Sequence, residues 1–196
     1  MPATVTASYV LHRHPATACP ALLGVTVEVG LADGGALRLR YTLRGQLQRL
    51  RLPPAAAAPQ ARDGLWRHTC FEAFVGAADA EAYREFNFSP SGDWAGYAFA
   101  AERQRDAARE PLPAPRIEVG RADDTLTLLA CLPAAALPGA AAAPPLFAAG
   151  ARWALGLSAV IEQSDGALSY WALAHPRPQP DFHHRGGWAA RLSSAR

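Results

Sequence analysis

Hydrophobic and polar residues alternate with a period of two through most of the chain. In LLGVTVEVGLADGGALRLRYTLRG, Leu23, Val25, Val27 and Val29 share one face, and beyond Asp33-Gly34-Gly35 that face continues with Leu37, Leu39, Tyr41 and Leu43. Thr26, Glu28, Arg38, Arg40, Thr42 and Arg44 fall on the other face. Successive side chains of a strand point to opposite sides, so the pattern predicts a half-buried antiparallel hairpin, with Glu28 opposite an arginine on its solvent face.

The same rhythm returns at Leu47 to Leu52, His68 to Val75, Ala82 to Phe88, Trp94 to Ala100, Arg116 to Gly120, Leu126 to Leu132, Trp153 to Ile161 and Leu168 to Ala174. Asp123-Asp124 and Asp165-Gly166 sit between consecutive runs as hairpin turns would. Roughly ten short strands with almost no helical periodicity predict an all-β fold, an antiparallel β-sandwich of jelly-roll or immunoglobulin-like build. Three segments break the rhythm. Pro53 to Pro59 and Leu137 to Pro145 are Ala/Pro-rich, and Glu102 to Glu110 is polar enough for one or two helical turns before Pro111. All three read as surface connections rather than domain boundaries.

Composition narrows the function classes. With 196 residues, 50% of them hydrophobic, the chain suffices for one compact domain spanning positions 1–196 without disulfides or metals. The formal net charge is only +2 and the arginines are dispersed, which argues against a nucleic-acid binder. There is no lysine, so a Walker phosphate loop and Schiff-base chemistry are excluded. Cys19, Cys70 and Cys131 show no C-x-x-C pairing and read as free thiols. The N-terminus has no signal-peptide pattern and no run reaches membrane-spanning length, so the expectation is a cytoplasmic protein without a membrane partner.

Chemistry concentrates in three places. In LWRHTCFEAFVGA, Trp66, His68, Cys70, Glu72 and Phe74 share one parity, opposite to Phe71, Ala73 and Val75. If the second set faces the core, an indole and a carboxyl project from the same outer surface. In EFNFSPSGDWAGYAF, Tyr83, Glu85 and Asn87 share a face while Phe86 and Phe88 face the core. Asn87, the only asparagine in the chain, is expected to pin the Ser-Pro-Ser-Gly turn that follows it, and its amide also suits a ligand. The third place is SYWALAHPRPQPDFHHRGGW, where Trp171 and His175 share parity before a proline-rich stretch leads to Asp181, Phe182, His183 and His184. No nucleophile elbow is present. Glu72 and Glu85 are the one carboxyl pair open to glycoside chemistry, which their separation would decide. The His12/His14 pair and the C-terminal histidines lack the further ligand that a metal site needs.

These three segments, in order, resemble bacterial DOMON-like proteins related to family 9 carbohydrate-binding modules, over about Tyr9 to Leu192. The resemblance implies a β-sandwich with a ligand site on or beside one sheet, in a superfamily that binds sugars or haem. It further implies that Trp66 and Glu72 match the first tryptophan and the following glutamate of the sugar site, with Trp171, and next Trp94, as candidates for the opposing ring. Aromatic faces suit the C–H side of a pyranose while planar polar groups meet its hydroxyls. Haem is disfavoured, because the only methionine is Met1; bis-histidine ligation by His68, His175 or His183 is the form left open. A calcium site is also left open, since carbonyl-rich loops carry no signature.

The expectation is therefore a non-catalytic module binding a small saccharide or similar polyhydroxylated molecule, with no cofactor. Trp66 and Trp171 would stack, Glu72 and Asn87 would hydrogen-bond, His175 or His183 would close the rim, and Trp94 is in reserve. The alternatives are a hydrolase using Glu72 and a nearby histidine, and an interaction module with an exposed sheet edge.

Overall fold

A computed structural model describes residues 4–138 and 152–193. Among them are twelve strands: β1 (Thr4–Arg13), β2 (Leu22–Ala32), β3 (Ala36–Gly45), β4 (Cys70–Ala77), β5 (Tyr83–Phe88), β6 (Trp94–Ala101), β7 (Gln104–Arg105), β8 (Arg116–Arg121), β9 (Thr125–Leu132), β10 (Arg152–Glu162), β11 (Leu168–Ala172) and β12 (Ala190–Ser193). All pairings of these strands are antiparallel, in the order β7-β6-β5-β4-β10-β11-β1-β2-β3-β9-β8, with β12 on the free edge of β10 beside β11.

The path folds on itself at β1. Thr4 to Leu11 pairs with β2, whereas His12 and Arg13 pair with β11, so one strand serves two sheets. Sheet A comprises β1-β2-β3-β9-β8 and sheet B comprises β7-β6-β5-β4-β10-β11. Their inner faces meet: Val25, Val27, Leu39 and Tyr41 from one pack in the same cluster as Phe71, Ala73, Val75 and Phe86 from the other. The phenol of Tyr41 crosses the interior to donate to the backbone carbonyl of Glu72 at 2.7 Å. A buried carbonyl directly beneath the outer face of β4 thereby gains a second partner.

The first hairpin follows its alternation. Leu37, Leu39, Tyr41 and Leu43 are fully buried, and Glu28 lies opposite Arg40 with their charged atoms 3.6 Å apart. Leu23 does not follow. A register irregularity between Leu22 and Gly24 turns Leu22 inward and leaves Leu23 86% exposed. Leu47 to Leu52 is likewise not a strand. It forms the 3-10 turn Leu47–Arg49 and one isolated bridge from Leu50 to Gln163. The helical turn expected before Pro111 is the 3-10 turn Ala107–Arg109, with the short strand β7 preceding it. Leu137, expected in a surface connection, is buried in the core; the rest of that stretch, 139–145, lies outside the described residues.

Sheet B is covered on both sides. The interior of β4 is buried at every position from Cys70 to Gly76, because Phe71, Ala73 and Val75 face sheet A while Phe74 faces a second apolar cluster outside. That outer cluster is Phe74, Tyr83, Ala154 and Trp188, with Phe182 and Phe99 at its margin. Its cover is the segment after β11, which crosses the outer face before returning as β12. Gly156 makes room for it. A Cβ there would sit 2.5 Å from Cδ1 of Trp188, whose Nε1 donates to the Phe182 carbonyl at 2.9 Å.

Candidate functional site

The C-terminal cover leaves part of the outer face of sheet B open, and the opening is a hollow of about 580 Å³. Strand register sets its floor. Val160 lies opposite Cys70, Glu72 lies between Ser158 and Asn87, and Phe74 lies between Gly156 and Glu85. Glu72 and Glu85 are thus diagonal neighbours on one face, and both line the hollow with Phe74 and Val160. Tyr97 stands across from Glu85, and Phe99 across from Tyr83, forming one wall. Phe182 and His183 of the C-terminal segment form another, and Tyr170 closes the side beyond Val160.

Trp66 sits at the mouth. It lies on the 3-10 turn Leu65–Arg67, entered through Gly64 at φ 79°, a left-handed conformation that suits glycine. Its indole is 47% exposed, with the Arg67 guanidinium 5.0 Å from the ring centroid. The other cations at the rim are tied down. Arg105 grips the Glu110 carboxylate with two hydrogen bonds (3.1 and 2.7 Å) and lies 4.7 Å from the Tyr97 ring centroid, while Arg103 donates to Asp181 at 2.9 Å.

The floor is electrostatically unusual. Burial, and then the neighbouring Glu85 charge, push the Glu72 carboxyl well above the usual carboxylate range, with only partial relief from Ser158. Burial lifts Glu85 to about 7, although the Asn87 amide and the charges of Arg103 and Arg105 pull it down. Asn87 Nδ2 donates to Glu85 Oε1 at 2.7 Å. His183 goes the other way: burial, aided by the Arg103 charge, lowers it to about 4. Tyr83 Oη accepts from the Arg103 backbone N–H (3.1 Å) and is hydrogen-bonded to His183 Nδ1 at 2.7 Å, which leaves the ring nitrogen Nε2. That nitrogen is 3.6 Å from Glu85 Oε2. The spacing is that of an ion pair, but the opposite displacements of the two groups leave both uncharged between about pH 4 and 7.

No protein-family model matches the chain, and no curated protein does. Solved structures do. A candidate carbohydrate-binding protein from Bacteroides uniformis superposes with a TM-score of 0.65 at 14% identity, over 96% of this chain and 86% of that one. A family 9 carbohydrate-binding module from Caldicellulosiruptor kristjanssonii, solved in complex with cellotriose, gives 0.61 at 11% identity, over 97% of this chain and 83% of that one. The likeness is one of fold.

Of the residues singled out in the sequence, the structure brings Trp66, Glu72 and His183 together around the hollow. Asn87 lies behind them, fully buried, bonded to Glu85 and facing the Cys70 thiol, whose sulfur is 3.6 Å from Oδ1. It does not pin the following turn. Ser89, Ser91 and Asp93 do that among themselves, with Ser91 N–H and Oγ both donating to Ser89 Oγ and Asp93 N–H donating to Ser91 Oγ.

Trp171 does not reach the hollow. Its indole points into the core between the sheets, where Nε1 donates to Ser169 Oγ at 3.0 Å, and alternation puts the neighbouring Tyr170 at the hollow instead. His175 is also elsewhere: it is hydrogen-bonded to the His12 carbonyl at 2.7 Å and edge-on to the His14 ring. Trp94 lines a separate hollow of about 420 Å³, which shares Tyr97 with the first. The lining aromatics Tyr97, Phe99, Tyr170 and Phe182 were not identified from sequence. The alternation of β6 carried the first two, and the third follows once Trp171 is known to face the core.

Proposed function

We propose that this hollow is a non-catalytic binding site for a small saccharide or similar polyhydroxylated ligand, in a module of the DOMON-like and family 9 kind. One observation carries the reading: an exposed indole, Trp66, stands over a hollow whose floor combines carboxyl groups with aromatic rings. Such a combination meets both sides of a pyranose, apolar C–H faces on the rings and hydroxyls on the polar groups. The fold-level likeness to a module solved with cellotriose supports it.

A hydrolase is the second reading, favoured by the raised carboxyls of Glu72 and Glu85 beside His183. Geometry weighs against it. Both carboxyls rise from one sheet face, so they approach a ligand from the same side, whereas glycoside cleavage needs carboxyls flanking the scissile bond. Titration calorimetry against a panel of mono- and disaccharides tests the proposal. Binding that weakens by about tenfold or more in Trp66→Ala is expected. Heat with no sugar, or unchanged affinity in that variant, overturns it.

A further inference from the structure

Carboxyl groups can meet the hydroxyls of a neutral sugar, but one would suffice for that; here two lie side by side, with no arginine among the described residues paired to either. Glu72 is 3% and Glu85 5% exposed. Ser158, directly across the strand pair, gives the Glu72 carboxyl partial hydrogen-bond relief, but its hydroxyl oxygen makes no hydrogen bond of good geometry among the described residues. Unpartnered buried polar groups are costly and mark places where a partner is missing.

The walls point to the sign of that partner. Trp66, Phe74, Tyr97, Phe99, Tyr170 and Phe182 all line the hollow. Aromatic faces carry negative potential and attract cations, most strongly where water is excluded. Acidic floor and aromatic walls therefore favour the same kind of group. The arginines at the rim do not reverse this: Arg103 and Arg105 are held by Asp181 and Glu110, and Arg67 lies at the mouth against Trp66.

We infer that the floor of the hollow receives a protonated amine, so that the preferred ligand is an amino sugar of the 2-amino-2-deoxyhexose class rather than a neutral hexose. The inference rests on the saccharide reading and narrows it. The ammonium sits between Glu72 and Glu85, donates to their oxygens, and leaves the ring to Trp66. Placing a cation there stabilises the ionised carboxyls, so binding releases protons to the solvent. The groups facing this pair are Cys70 and Asn87 from β4 and β5, Ser158 from β10, Tyr97 from β6, Tyr83 with His183 at the wall, and the Arg103 and Arg105 charges beyond.

The test is calorimetry at about pH 6 with glucosamine, glucose, N-acetylglucosamine and glucuronate, in two buffers of different ionisation enthalpy. A charge-assisted contact of this kind is expected to make glucosamine bind about tenfold or more tighter than glucose and N-acetylglucosamine, with proton release. Glu85→Gln and Glu72→Gln, which keep shape and remove charge, are each expected to reduce that preference to about threefold or less. Circular dichroism melting of each variant checks that it is folded. Equal binding of glucosamine and glucose, tighter binding of glucuronate, or a preference that survives both substitutions overturns the inference while leaving a sugar site standing. Binding of none of the four overturns the saccharide reading with it.

Discussion

Replacing Glu85 by glutamine isolates the cost of keeping a carboxyl on the floor of the hollow. In the folded protein Glu85 titrates at about 7 against an ordinary value of 4.5, chiefly because it is buried. A raised carboxyl is stabilising or neutral while protonated and becomes a liability once ionised. The native state holds this proton more tightly than the unfolded chain between about pH 4.5 and 7, so stability falls as pH rises through that window. The displacement from 4.5 to about 7, at about 1.4 kcal/mol per pH unit, comes to about 3 kcal/mol. His183 opposes it: lowered from 6.5 to about 4, it is kept neutral by folding, and its contribution rises with pH between those values. The wild-type profile is thus partly flattened, and the difference between wild type and Glu85→Gln cancels the His183 contribution while reporting the loss of the Glu85 charge, its effect on Glu72 included. The glutamine keeps Oε1 for the Asn87 amide and cannot ionise. Urea unfolding of both proteins at pH 4.5, 6 and 8 is expected to show Glu85→Gln gaining about 3 kcal/mol on wild type across the series, most of it between pH 5 and 7. A difference that stays constant within about 0.5 kcal/mol would refute the argument, because surface substitutions vary by that much without any linkage.

Two further substitutions probe what the structure says of its rings. Trp171→Ala should destabilise by about 3 to 5 kcal/mol in urea unfolding, since the indole fills the core between the sheets, whereas Trp66→Ala, at an exposed rim, should stay within about 0.5 kcal/mol. Equal stability losses in the two would contradict their placement. Gly156→Ala should cost about 1 to 3 kcal/mol, because the new Cβ would meet the Trp188 ring at 2.5 Å, and by shifting that ring it should also disturb Phe182 and His183 at the wall of the hollow. Retained stability with unchanged tryptophan fluorescence would show that the C-terminal cover is looser than described.

How far the site was readable along the chain depended on which element carried each residue. On β4 and β5 a period of two separates Phe71, Ala73, Val75, Phe86 and Phe88, facing sheet A, from Glu72, Phe74 and Glu85, facing out, and nothing non-local is needed to see it. On β11 the same rule misleads. Ser169 and Trp171 share the inner face, and a serine in a core looks like a solvent residue until the indole that donates to it is known. That pairing decides between Trp171 and Tyr170 as the ring at the hollow, and it is a tertiary contact. Leu23 illustrates another limit, since one extra residue at a bulge shifts the pattern without changing its appearance. Asn87 was visible as an oddity, but its partners come from three separate facts: the serines of the next turn satisfy one another, Glu85 lies two residues back on the same face, and Cys70 reaches it across the strand pair.

The C-terminal cover is the hardest part to anticipate and the one that matters most to the chemistry. Between Pro176 and Trp188 the chain has no period, so neither the burial of Trp188 nor the placing of Phe182 and His183 over sheet B is written in an alternation. Without that cover Glu72 and Glu85 would be ordinary carboxylates on a solvated sheet face. With it they are desolvated side by side, and the raised titration of the pair and the lowered titration of His183 follow from burial. The acidic character of the floor is therefore inherited from the strands, while its readiness to take up a cation is a property of the segment that closes over them. A variant that loosens the cover, such as Gly156→Ala, should consequently lower the Glu85 titration toward its ordinary value even though it touches neither carboxyl. Carboxyl NMR titration of the variant against wild type reads this directly, and an unshifted Glu85 would show that strand neighbours, not the cover, set its protonation.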